Sequence, residues 1–197
     1  MIKNMKVIIG LGNPGKEHEK TRHNARRTAA QYFAEARDFH APGKEALLWK
    51  FDSKSTSHLS EGRCGRERML VALPDTFMNK SGAAAGKLIR PKKELSDLIV
   101  LHDDLDLPLG KIKISYGKNS GGHKGVESIM RAVKTKNFIR IRIGVSGKKK
   151  PNDVLKFIVG KFKPEEEKII KKELKKIDQA LETICAESLE KAMSIYN

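Results

Sequence analysis

Four polar clusters punctuate this chain of 197 residues, and each contains side chains of types that could carry chemistry. They are Asn13 with the loop that carries His23, PDTFMNKSG at 74–82, HDDLDLPLG at 102–110, and NSGGHKG at 119–125. Each stands at the end of an apolar run or at the start of a helical pattern. A histidine beside a strand end can act as a general base near neutral pH if an acceptor holds its second ring nitrogen. Asp103 is the natural acceptor for His23. Taken singly, the clusters have simpler readings: Asp103, Asp104 and Asp106 as turn and cap residues, Gly121-Gly122 as an ordinary helix entry. Four clusters converging on one sheet edge favour a site. The same groups, His23, His102, His123 and Asp103, could instead ligate a metal. No H-x-x-x-H or H-E-x-x-H spacing supports that, and asparagines, which are poor ligands, accompany the clusters. The site is therefore expected to work without a metal.

Gly10-Leu11-Gly12-Asn13-Pro14-Gly15 is a literal G-x-G-x-x-G placed directly after the apolar run Val7-Ile8-Ile9. A dinucleotide fingerprint requires the third glycine to open a helix, so that the pyrophosphate sits at the helix N-terminus. Here Gly15 is followed by nine polar residues, from Lys16 to Asn24, with no apolar face to pack on a sheet. The helical pattern starts only after Asn24. The better reading is a strand that ends in a tight Gly/Pro turn and a polar loop, where α/β proteins commonly place their sites. No nucleotide cofactor is expected.

These clusters need a scaffold, and the hydrophobic pattern supplies one. Strand-like runs at 6–11, 47–52, 68–73, 97–101, 111–115 and 138–145 alternate with helical patterns near 25–39, 80–90 and 125–135, which predicts an α/β fold. From Pro164 onward, Ile169, Ile170, Leu174, Ile177, Leu181, Ile184, Leu189 and Ile195 recur at three-and-four spacing, predicting one long C-terminal amphipathic helix. Proline and three glutamates in its first turn suit a helix start. Residues 53–66 are polar and contain glycine, and read as a hairpin connection. With no repeat or low-complexity linker, residues 1–197 are expected to form a single domain.

Forty Lys and Arg against twenty-four Asp and Glu give a formal charge of +16, which points to a polyanionic partner. The bland alternative is a solvated lysine-rich surface. Cys64 and Cys185 lie outside any C-x-x-C pattern, so neither a disulfide framework nor a zinc site is suggested, and a reduced cytoplasmic location fits. The apolar runs are too short to span a bilayer, and the N-terminus lacks a signal-peptide core, so no membrane association is expected.

At this level of detail the sequence resembles the bacterial-type peptidyl-tRNA hydrolases. The resemblance rests on G-L-G-N-P-G followed by T-R-H-N, on T-F-M-N-x-S-G at 76–82, on H-D-x-L-D-L-P-x-G at 102–110 and on G-G-H-x-G at 121–125, with a matching strand N-F-I-R-I-R-I-G at 137–144. The motifs come in the family's order and spacing and cover nearly the whole chain. The resemblance implies a monomeric, metal-independent α/β protein, a twisted mixed sheet flanked by helices, that cleaves the ester between a peptide and the 3′ end of tRNA. It implies His23 as the base that activates water, Asp103 as the group that orients it, and Asn13 as the side chain that positions the water or stabilises the oxyanion. Met78 and Asn79 would line the site for the peptide and terminal ribose, and His18, His123 and Lys124 would lie at substrate contacts. Peptidyl-tRNA is the expected partner.

Three positions depart from the family pattern: His18 where it has tyrosine, Arg26 where T-R-H-N-x-G ends in glycine, and Lys124 where G-G-H-N-G carries asparagine. The alternative function is a non-hydrolytic RNA-binding protein of the same fold. Outside the pocket, Lys111 and Lys113 are expected to share a face of one strand and Arg140 and Arg142 a face of another, with Lys118 and Lys148 to Lys150 in adjacent loops. In the family, basic side chains on those strands hold acceptor-stem phosphates, although one such lysine position is Ser115 here. Lys124 is expected to find either Glu127 or a phosphate of the tRNA end as a partner.

Overall fold

In the computed structural model, residues 5–15, 18, 21–44, 47–89, 95–147 and 153–197 are described. Seven strands form one mixed sheet in the order β2-β3-β4-β1-β5-β7-β6. They are β1 (Lys6–Gly10), β2 (Lys50–Asp52), β3 (Ser57–Cys64), β4 (Glu67–Pro74), β5 (Leu95–Pro108), β6 (Ile112–Tyr116) and β7 (Phe138–Ser146). The centre is parallel, with β1 between β4 and β5 and β7 beside β5, and the outer pairs β2–β3, β3–β4 and β6–β7 are antiparallel. The helices are α1 (Ala25–Glu35), α2 (Ser81–Leu88), α3 (Lys124–Val133), α4 (Val154–Val159), α5 (Pro164–Ala186) and α6 (Leu189–Tyr196).

Strand alternation divides the core into two layers. On one face Ile8 packs with Ile99 and Leu101 against Ala29, Ala30 and Phe33 of α1 and Ile177 and Leu181 of α5. On the other, Val7, Ile9, Leu98 and Val100 meet Ala85 and Leu88 of α2 and Val126 and Ile129 of α3. The continuous apolar run of β1 reflects this burial on both faces.

Three expectations need correction. Residues 53–66 are not merely a connection, because Ser57–Cys64 form β3 along the whole length of β4. Its buried positions include Ser57 and Ser60, so a backbone ladder prevails over a side-chain pattern that lacks apolar alternation. The C-terminal helix is two helices: the chain breaks at Glu187, and the Ser188 hydroxyl caps α6 by accepting from the Lys191 N–H at 3.1 Å. The apolar spacing runs through this break, which is why it reads as continuous. The strand expected over 97–101 extends to Pro108, so Asp103 and Asp104 belong to β5, with a register irregularity between Asp104 and Pro108.

Candidate active site

The site is built where β1 and β5 end, the usual position for a parallel sheet. Asn24 closes the 3-10 turn Arg22–Asn24 that leads into α1. Its side chain clamps Asn13: Oδ1 accepts the Asn13 N–H at 2.9 Å and Nδ2 donates to the Asn13 carbonyl at 3.0 Å. Gly12 makes room for this, since a Cβ there would lie 2.8 Å from Asn24 Oδ1. Asn13 Oδ1 in turn accepts the Met78 N–H at 3.1 Å, which commits its oxygen and leaves its NH2 as the available donor. The glycine turn thus fixes an amide beside the cavity.

Asp103 occupies the floor, only 5% exposed. Alternation places it on the face of β5 shared by Ile99 and Leu101, towards α1. There Arg26 Nη1 lies 2.7 Å from Asp103 Oδ2, and Arg26 Nε donates to the Leu11 carbonyl at 3.2 Å. Arg26 has no solvent exposure, and burial lowers its pKa against the opposing pull of Asp103. His123, the N-cap of α3, reaches the same carboxylate with Nε2 2.5 Å from Oδ1.

Hydrogen bonds fix the ring protons of both neighbouring histidines. His123 Nδ1 accepts the Val126 N–H at 3.2 Å, so the proton of the neutral ring is on Nε2, facing Asp103. His102 Nδ1 donates to the Asp103 carbonyl at 2.8 Å, and its Nε2 lies 3.4 Å from Arg140 Nη1. Burial holds the His102 pKa well below its usual value, helped by His123 and Arg140. The two rings lie 5.0 Å apart. Ligand atoms of His102, Asp103 and His123 lie within 4.8 Å of one another. Both rings nevertheless have their nitrogens engaged, and two guanidiniums face the group, an arrangement of ion pairs rather than a cradle for a cation.

A cavity of about 710 Å³ opens above these groups, lined by Asn13, Met78, Asn79, Asp103, His123 and Lys124 among others. Val154, Ile158 and Val159 of α4 and the exposed Phe77 give it an apolar wall. Gly125 lets Met78 into place, because a Cβ there would stand 2.4 Å from Met78 Sδ. His23 lies in the turn Arg22–Asn24, but its side chain is outside the described residues. His18 is half-buried in the preceding turn and does not line this cavity. Lys124 begins α3, its side chain 73% exposed, with Nζ 3.3 Å from Glu127 Oε2. Of its two expected partners, Glu127 is therefore the one in place.

The basic strands adjoin this site at a second cavity of about 450 Å³, lined by Lys113, Ser115, Lys118, Arg140 and Arg142 among others. Register sets Lys113 opposite Arg142 and Ser115 opposite Arg140. Lys111 lies in the turn before β6 rather than on the strand with Lys113, its N–H bound to the Pro108 carbonyl. The two arginines are not equivalent surface charges. Arg140 is buried, its pKa lowered to about 10 chiefly by desolvation, whereas Arg142 Nε donates to Asp104 Oδ2 at 2.5 Å. Lys148 to Lys150 lie outside the described residues.

Sequence reasoning gave no role to Arg22, although it stands in T-R-H-N. Its guanidinium donates to the Lys161 carbonyl at 2.7 Å and to Glu166 Oε2 at 2.5 Å, and it lies 4.5 Å from the centre of the Phe157 ring. It ties the His23 turn to α4 and α5. Its place within T-R-H-N was the available signal, but its partners lie more than 130 residues away in the sequence.

The profile of the peptidyl-tRNA hydrolase family matches residues 7–197. The chain is 42% identical over 194 residues to a peptidyl-tRNA hydrolase of Aquifex aeolicus, covering 98% of this chain and 96% of that protein. It is 40% identical to one of Thermodesulfovibrio yellowstonii, covering 98% and 99%. Among solved structures, the peptidyl-tRNA hydrolase of Acinetobacter baumannii superposes with a TM-score of 0.83 at 26% identity, covering 100% of this chain and 96% of that one. Family profile, full-length identity and fold agree: the chain belongs to the peptidyl-tRNA hydrolase family.

Proposed function

We propose that the cavity at the ends of β1 and β5 hydrolyses the ester between a peptide and the 3′ end of tRNA, with His23 as general base, Asp103 as its orienting group and Asn13 as the amide donor at the reacting centre. A water molecule gives its proton to the imidazole and attacks the ester carbonyl. The tetrahedral oxyanion forms beside the Asn13 NH2. Collapse expels the ribose 3′ oxygen, which takes the proton back from the imidazolium, so the products are a free peptide acid and tRNA with its hydroxyl restored. The single observation that carries this reading is the clamp on Asn13. With its oxygen held by the Met78 N–H, it offers a preorganised neutral donor, which suits charge that appears only in the transition state.

His123 and His102 are poor candidates for the base, since each has both ring nitrogens engaged, and this favours His23 among the motif histidines. Met78, Asn79 and the apolar wall of α4 would receive the peptide and terminal ribose. His18, Lys111, Lys113 and Arg142 are assigned to the tRNA side, in keeping with the charge of +16, whereas Arg140 is buried against His102. The working unit is taken to be a cytoplasmic monomer. Among the described residues no helix is long and apolar enough to cross a membrane. Hydrolysis of an N-blocked aminoacyl-tRNA, with and without a chelator, tests the reading. Turnover unaffected by the chelator is expected, together with at least a tenfold loss in Asn13→Ala, set against the ~100-fold typical for removing one oxyanion donor. Absence of turnover would contradict it.

A further inference from the structure

Arg26 stands where the family pattern has glycine, and the fold makes it part of the site floor. It is fully buried in the first turn of α1, three residues after His23. Its Nη1 takes one oxygen of Asp103 at 2.7 Å, while His123 Nε2 takes the other at 2.5 Å. A second bond, from Nε to the Leu11 carbonyl, fixes the guanidinium plane against the end of β1. A buried arginine with that geometry is a permanent positive charge beside the carboxylate that is assigned to orient the base.

We infer that Arg26 is a positioning residue that shares Asp103 with the catalytic machinery, so that the carboxylate presented to the water-activating base is already largely neutralised. The inference rests on the His23/Asp103 reading above. Among the described residues, the charged and titratable groups around Asp103 are Arg26 from α1, His123 from the start of α3, and His102 on β5. Arg140 from β7 faces His102, and the Asp104–Arg142 pair lies one residue further along. Among the described residues, Arg26 gives Asp103 a fixed countercharge at contact distance.

An unshared carboxylate favours the imidazolium and raises the pKa of the base, whereas a cation paired with that carboxylate removes the effect. The wild-type base therefore stays neutral, and competent, to lower pH than an Asp103 without Arg26 would permit. The acid limb of kcat/KM in the wild-type protein is expected at or below about 6.5, the ordinary imidazole value. Neutral replacements, Arg26→Met or Arg26→Gln, should move that limb upward by about one unit, the lower end of the effect of one adjacent charge. A full unit below the wild-type limb this is about a tenfold loss beyond any uniform loss, since one unit is a factor of ten in protonation ratio. Arg26→Lys, which keeps the charge, should leave the limb near its wild-type position even where kcat falls.

A purely structural role for Arg26 would lower activity uniformly and move no limb. The inference is overturned if the neutral variants keep the wild-type limb, or if Arg26→Lys shifts it as much as they do. Should the neutral variants not fold, the wild-type profile still decides, because an acid limb above about 7, beyond the ordinary imidazole value, contradicts a neutralised carboxylate. His23→Ala separates the two levels. Full activity there removes the base assignment itself, whereas an inactive His23→Ala with an unmoved Arg26→Met limb removes only the role of Arg26.

Discussion

Asn24 holds the backbone of Asn13 from both sides, accepting its N–H and donating to its carbonyl. This places one amide of the turn under the control of the next motif along the chain. Asn24→Ala should therefore behave as a weakened Asn13. We expect kcat to fall on the order of tenfold or more with tRNA affinity preserved, since the donor proposed for the oxyanion loses part of its support while the proposed phosphate contacts are untouched. Steady-state kinetics with a circular-dichroism check of folding measure this.

Gly125 is the point where Met78 reaches into the site. Gly125→Ala puts a methyl group inside the space of Met78 Sδ and within 2.9 Å of Leu11 Cδ1. Overpacking of this kind costs about 1–3 kcal/mol. Chemical denaturation should show that loss, together with a raised KM because Met78 lines the cavity.

Glu173 is buried in α5, and desolvation raises its pKa to about 8. Its folded pKa thus lies above its unfolded value, so the native state binds the extra proton and stability falls as pH rises between about 4.3 and 8, bounded below by the ordinary glutamate value. Glu173→Gln should remove that slope. Melting temperatures at pH 5 and pH 8 check it: the variant gains on the wild type at pH 8 and matches it more closely at pH 5.

Lys113 projects from the edge strand β6 and is exposed, whereas Arg142 across the ladder is paired with Asp104. Lys113→Ala should lower the salt dependence of tRNA binding by about 0.9 in the log–log slope, one phosphate's share on a duplex. Lys124→Asn should lower it by a similar step if Lys124 leaves Glu127 for the tRNA end. Salt titrations of binding give both slopes, and an unchanged slope for Lys124→Asn would leave Glu127 as its partner in the complex as well.

The parallel centre of the sheet was legible because its strands are buried on both faces and read as apolar runs, as Val7 to Ile9 and Leu98 to Leu101 do. β3 was not, since its buried serines hide a strand held by its ladder with β4. The break before α6 depends on one N-cap serine inside an uninterrupted apolar spacing. At the site, the motif residues Asn13, Met78, Asp103 and His123 come together as their types suggested. The partners that constrain them were hidden for a different reason. Arg26 reads as a substitution in a motif, and only the alternation of β5 and the packing of α1 reveal that it meets Asp103. Arg140 reads as a surface phosphate ligand until the sheet buries it against His102.

The central claim is that His23 activates water while the basic surface binds the tRNA. The measurement that tests it most directly is single-turnover hydrolysis of an N-blocked aminoacyl-tRNA by wild type and His23→Ala, with tRNA affinity measured in parallel. A loss of about 100-fold or more in the chemical step with affinity within a few-fold is the predicted result, given what a general base typically supplies. Retention of more than about a tenth of the wild-type rate, well inside that 100-fold bound, would contradict it.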